Sequence, residues 1–99
     1  MVEDVILLPA ALRDISEACQ WYGARGTGLA DAFLRSVDRC IDSIGRNPEL
    51  YESAHEQYRR ALMHRFPYAI IYEYVPGTIT IYSIFHCSQD PEKWRSRLP

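Results

Sequence analysis

The stretch YRRALMHRFPYAIIYEYVPGTITIYSIFH, Tyr58 to His86, decides the fold. Its apolar residues recur with a period of two, and the β-favouring Tyr and Ile dominate it. Three strands fit this pattern: Tyr58–Arg65, Tyr68–Val75 and Thr78–His86. VPGT separates the last two. Proline before glycine suits a type II turn and fits a two-residue hairpin badly, which predicts a slightly longer loop. With Val75 near Thr78, pairing puts Tyr68, Ile70, Tyr72 and Tyr74 on one face with Ile79, Ile81, Ser83 and Phe85. Ala69, Ile71 and Glu73 share the other face with Thr80, Tyr82, Ile84 and His86. The first face is the more apolar and is assigned to the helices, so His86 is expected on the open face.

Upstream, the period lengthens. Ile15, Ala18, Cys19 and Tyr22 fall at i, i+3, i+4 and i+7 and mark one face of a helix. Gly26 is the expected stop, because glycine enters the left-handed conformation without strain. Thr27 is the expected cap of a second helix, whose stripe runs Leu29, Phe33, Val37, Cys40, Ile41 and Ile44. Arg46-Asn47-Pro48 ends it, since proline disfavours helix for the residue before it. A linker this short folds the two helices into an antiparallel hairpin. Val5–Leu8, closed by Pro9, is expected to be a buried strand. Asp90 followed by Pro91 starts a short terminal helix or turn. The order is β-α-α-β-β-β, an α+β domain spanning residues 1–99 with a helical hairpin on one face of a mainly antiparallel sheet.

Ninety-nine residues with 47% apolar content suffice for one core and not for two. The apolar runs are too short to span a membrane, and the acidic start MVEDVILL lacks the features of a signal peptide. Three unevenly spaced cysteines point to a reducing, cytoplasmic setting. The net charge of −2 is unevenly spread. Residues 1–56 hold five Arg against ten acids, whereas residues 57–99 hold five Arg and one Lys against three. A basic second half can meet an acidic partner, but the whole chain lacks the strong positive charge of a free-standing nucleic-acid binder.

Few residues offer chemistry. Cys19 and Cys40 lie on helical stripes, where cysteine behaves as a small hydrophobe. His86 and Cys87 are neighbours on a strand and point to opposite sides, so they cannot form a nucleophile–base pair. Glu73 is the sole acid in the three strands and lacks a partner for acid–base work. No close-spaced ligand pair or phosphate loop is present, and no cofactor is expected. The basic set Arg59, Arg60, Arg65, Arg95 and Arg97 remains, either as a binding surface or as a solvated face that keeps strand edges soluble. Trp94 is expected to anchor the terminus over the sheet.

DISEACQWY, GLADAFL, VDRCIDSIGRNPELY, RRALMHRFPYAIIYEY and IFHCSQDPEKW, in this order, resemble the RelE/ParE superfamily of toxins from bacterial type II toxin–antitoxin, or plasmid-stabilisation, modules. The likeness covers nearly the whole chain. It implies a cytoplasmic toxin neutralised by a cognate antitoxin whose disordered tail folds onto it, with a homodimer or a toxin–antitoxin hetero-oligomer as the assembly. One branch cleaves messenger RNA in the ribosome. The positions matching its catalytic groups read Ala69, Cys87 with Ser88, and Trp94, and only Arg60 is kept among the basic residues of its second strand. His86 alone could titrate there, and one group does not supply a base, a charge and an acid. The ParE-like branch binds DNA gyrase and needs no such groups. The resemblance therefore implies a gyrase-binding toxin, with a ribosome-dependent messenger RNA endonuclease or a decayed toxin that only binds antitoxin as the alternatives; Arg60, Arg65, Trp94 and Arg97 are the candidate target contacts.

Overall fold

The computed structural model describes residues 2–99. The elements run β1 (Asp4–Leu7), α1 (Pro9–Gly23), α2 (Leu29–Arg46), β2 (Ser53–His55), β3 (Tyr58–Leu62), β4 (Tyr68–Val75), β5 (Thr78–His86) and α3 (Glu92–Arg95). They build a five-stranded sheet in the order β1-β5-β4-β3-β2. β1 lies parallel to β5, and every other pairing is antiparallel. The α+β class and the helical hairpin are as expected. β2 is an additional short strand, and β3 ends at Leu62 because the chain turns at Arg65, whose φ is +74°. Among the described residues, no helix is long and apolar enough to cross a membrane.

The helices pack through the stripes their periodicity predicts. On α2, Phe33, Val37, Cys40 and Ile44 are buried, and Tyr22 of α1 stacks on the Phe33 ring with centroids 5.5 Å apart. The turn between them differs from expectation. α1 ends with Ala24 still right-handed, and Gly28, not Gly26, takes the left-handed conformation at φ +80°. It also replaces Thr27 as the cap, and no side chain bonds the first turn of α2.

The β4–β5 turn is tighter than expected. Val75 pairs with Thr78, so Pro76 and Gly77 alone make the loop, with Gly77 at φ +87°. Glycine bears that angle without strain and lets proline keep its own. The Gly77 carbonyl also accepts the N–H groups of Glu3 and Asp4, at 2.8 and 3.0 Å, which pins the start of β1.

A β-bulge then resets the faces. Tyr72 pairs with Ile81 but Ile71 pairs with Ser83, leaving Tyr82 without an opposite residue. Up to the bulge the faces are as expected, with Tyr72, Tyr74, Ile79 and Ile81 against the helices. Beyond it the faces of β5 invert while those of β4 stay as expected, because one extra residue in β5 shifts its alternation by one. Ile84 joins the helix-side core, Phe85 moves to the opposite face, and His86 comes beside Tyr68 on the helix side. The open-face placement of His86 is thereby corrected.

The sheet has two apolar layers. The larger lies under α1 and α2, and the smaller gathers Tyr58, Ala69, Ile71, Phe85 and Trp94 on the other face. β1 is not the buried strand its composition predicts. It forms a free edge, with Val5 at 42% and Ile6 at 47% exposure, because α1 departs at once and covers β5 instead.

Tyr72 shows how the layers are tied. Its hydroxyl donates to the Pro48 carbonyl at 2.8 Å, and burial pushes its pKa up to about 12. Tyr82, half-buried beside Glu73 and bonded to it at 3.2 Å, is likewise pushed up to about 12, first by desolvation and then by the Glu73 carboxylate. A raised folded-state pKa adds stability that is complete below the unfolded value, about 10, and is lost as pH climbs towards about 12. An ultraviolet titration is expected to show a late tyrosinate step accompanied by falling stability. Tyr72→Phe should remove part of that step; an unchanged late step would contradict the assignment.

Candidate functional site

Asp14 gathers a cluster of polar partners from β5 and the C-terminal turn. It sits on the buried side of α1, three residues after Ala11 and four before Ala18, and its side chain is only 11% exposed. The bulge in β5 turns two donors towards it: the Ser83 hydroxyl at 3.2 Å and the Ile84 N–H at 2.9 Å, both to Oδ2. Arg97 completes the set with two bonds, 2.8 Å to Oδ2 and 3.0 Å to Oδ1. Those bonds raise the Arg97 pKa, with burial opposing them in part. A charge-assisted bidentate pair of this kind fixes direction as well as distance.

Around this pair, α1, the end of β5 and α3 enclose a groove of about 560 Å³. Trp21, Tyr22 and Tyr68 give it aromatic walls, while Glu17 and Lys93 supply opposite charges. Trp21 is 49% exposed, and the Arg25 guanidinium lies 3.6 Å over its ring. Half-exposed Trp and Arg are residue types that dominate protein–protein contacts.

His86 also lines the groove. Its Nδ1 accepts the Ser88 N–H at 3.1 Å and lies 2.7 Å from the Ser88 hydroxyl. An N–H can only donate, so Nδ1 holds the lone pair and the neutral ring carries its proton on Nε2. The nitrogen left free is a donor, not a base.

The four expected target contacts are not one patch. Trp94 and Arg97 line the groove; Arg60 and Arg65 do not. Arg60 on β3 is paired with Glu52, its Nε 3.1 Å from Oε1. Arg65 is exposed in the β3–β4 loop, 5.5 Å over the Phe66 ring. Trp94 is 2% exposed and packs on Phe85 at 5.7 Å between centroids, covering the sheet's second face. Of the other basic residues, Arg59 donates to the Tyr51 carbonyl at 2.7 Å, and Arg95 lies 3.4 Å from Glu92. The positions matching the ribonuclease groups split: Ala69 and Trp94 are buried together, whereas Cys87 and Ser88 are exposed after β5. Cys40 is buried, its pKa raised to about 11 by burial, and Cys19 is half-buried.

Sequence reasoning missed Asp14, Glu17 and Trp21. A signal for Asp14 was present: a carboxylate placed among Ala11, Ile15 and Ala18 in a buried stripe must find partners.

Nothing among curated proteins matches the chain. Its fold is similar to a solved structure from the chromosomal ParDE toxin–antitoxin system of P. aeruginosa, with a TM-score of 0.62 and 14% identity over 87% of this chain and 96% of that one. The family model for the ParE toxin of the type II toxin–antitoxin system parDE matches residues 5–91. The same residues carry the helical hairpin and the bulged sheet, whereas Lys93, Trp94 and Arg97 of the groove lie beyond them. The chain belongs to the ParE toxin family of type II toxin–antitoxin systems.

Proposed function

We propose that this ParE-family chain acts in the cytoplasm by binding DNA gyrase, without cutting RNA, and that a cognate antitoxin neutralises it. The observation that supports this reading is the burial of Ala69 together with Trp94 of α3 in the second apolar layer. Alanine has no group to move a proton, and a sealed indole cannot reach a phosphate. Metal-free RNA cleavage needs a base, charge stabilisation and an acid in reach of the scissile bond. A toxin that works by binding needs exposed contacts, and Arg60, Arg65 and the groove around Arg97 supply them.

Supercoiling by purified gyrase is expected to fall as the protein is added, while ribosome-bound message stays intact in a translation extract. Cleaved message, abolished by changing His86 alone, would move the protein to the ribonuclease class. Arg60→Ala and Arg65→Ala should each weaken gyrase inhibition. An interface arginine contributes about 2 kcal/mol, or about thirtyfold in Kd. Both variants should keep wild-type stability to within about half a kcal/mol, because the replaced side chains reach solvent. The antitoxin contact is tested by growth: the chain alone should arrest it and co-production with the cognate antitoxin should restore it. Light scattering of that complex should give a hetero-oligomer.

A further inference from the structure

Among the described residues, the buried side-chain nitrogens without a hydrogen-bond partner are Trp94 Nε1 and Arg95 Nε, adjacent in sequence on α3. Buried polar groups are nearly always paired, so two orphans on one four-residue helix mark a strained contact. The hydrogen bonds of the same segment are equally unusual. Cys87 N–H bonds the Pro67 carbonyl at 2.8 Å, the last backbone anchor to the body. From there on the backbone N–H groups bond only within residues 86–98: Ser88 to the His86 ring, Gln89 to the His86 carbonyl, Glu92 to the Asp90 carboxylate. Lys93 to Leu98 bond carbonyls three or four residues back. Among the described residues, a single polar side-chain contact crosses to the rest of the protein, the Arg97–Asp14 pair.

We propose that residues 88–98 are a hinged cover that opens as a unit after Cys87, with Arg97–Asp14 as its latch. Two contributions hold the cover shut: burial of Trp94 and Leu98 on the second apolar layer, and the latch. One contribution opposes them, because both orphaned N–H groups regain water when the cover lifts. No sheet hydrogen bond has to break. Opening uncovers Tyr58, Ala69, Ile71 and Phe85, an apolar surface that is sealed when the cover is down. Segments that open locally in this way have few bonds to the body and exchange their amides ahead of the core. This inference does not depend on which target the toxin binds.

The test uses Trp21→Phe, which leaves Trp94 as the sole tryptophan of the chain. Trp94 fluorescence should be shielded from acrylamide in that background. Adding Arg97→Ala should raise quenching at least threefold and speed hydrogen exchange of the 89–98 amides about tenfold, with the β4 and β5 amides unchanged. Arg97→Lys, which keeps the charge and loses the bidentate geometry, should fall between the two. Equal shielding and exchange in all three proteins would overturn the proposal. So would exchange in β4 and β5 that accelerates in step with the cover, since opening would then be global unfolding.

Discussion

Phe33→Ala is expected to unfold the chain more readily than any other single truncation in the helical hairpin. Phe33 is fully buried, and its ring meets Tyr22, Phe66 and Tyr68 with centroids 5.5, 5.3 and 5.0 Å away. It is where α1, α2 and the β3–β4 loop come together. Truncating a buried phenylalanine costs about 3–5 kcal/mol, the lost transfer energy plus the cavity left behind. Against a total of about 5–15 kcal/mol for a domain, that is a large fraction. Each kcal/mol moves the midpoint of a chain this size by about 4–8 °C, so a fall of at least about 12 °C is expected. Leu34 provides the control. It is the next residue on the same helix but 41% exposed, and Leu34→Ala should cost under about 1 kcal/mol. Thermal unfolding followed by circular dichroism separates the two; equal midpoints would mean that the aromatic cluster does not hold the hairpin.

Asp14→Ala is expected to have the second-largest effect, for a different reason. The carboxylate satisfies the Ser83 hydroxyl, the Ile84 N–H and Arg97 together. Its removal leaves a buried N–H in β5 with no acceptor, and unsatisfied buried donors cost about 1–3 kcal/mol each. Arg97, at 38% exposure, can return to water, so its share is smaller than for a fully buried pair. A loss of about 3 kcal/mol is the sum of these effects. Asp14→Asn retains an acceptor for β5 and loses the ion pair, so it should cost about half as much. Arg97→Ala should cost less again, since Asp14 then keeps two of its donors. Urea midpoints give this order directly. A value for Asp14→Ala within about half a kcal/mol of wild type would place Asp14 among ordinary surface acids.

Much of the fold was legible in the sequence because it follows from period and punctuation. The stripe through Phe33, Val37, Cys40 and Ile44 has a single buried orientation, and Asn47-Pro48 leaves α2 no way to continue. The break between β4 and β5 followed from Pro76-Gly77 in the same way. The bulge was not legible. Tyr82, Ser83 and Ile84 are each acceptable on either face, so only the three-dimensional fit of Ser83 and Ile84 to Asp14 decides which residue goes unpaired. That one residue moved Phe85 and His86 across the sheet. β1 misled because apolar content records how a strand packs on average and not whether it lies at an edge. At the site, Trp94 was readable as a cover, whereas the dispersal of Arg60, Arg65 and Arg97 over separate elements depends on a topology that arginine content does not encode.

The parallel pairing of β1 with β5 has a consequence for the order of events during synthesis. Asp4–Leu7 leave the ribosome before every other strand of the sheet, yet their partners are Thr78–Ile81. Contacts so distant in sequence are slow to form, because the loop must close before they contribute. While residues 9–46 can already pair as two helices, β5 and its Asp14 contact have not been made. The nascent chain therefore passes through a stage in which the helical hairpin exists, the groove has only one wall and β1 has no neighbour. A partner that recognises the groove cannot engage until translation has passed residue 97, whereas one that recognises the hairpin alone can bind a toxin still under construction.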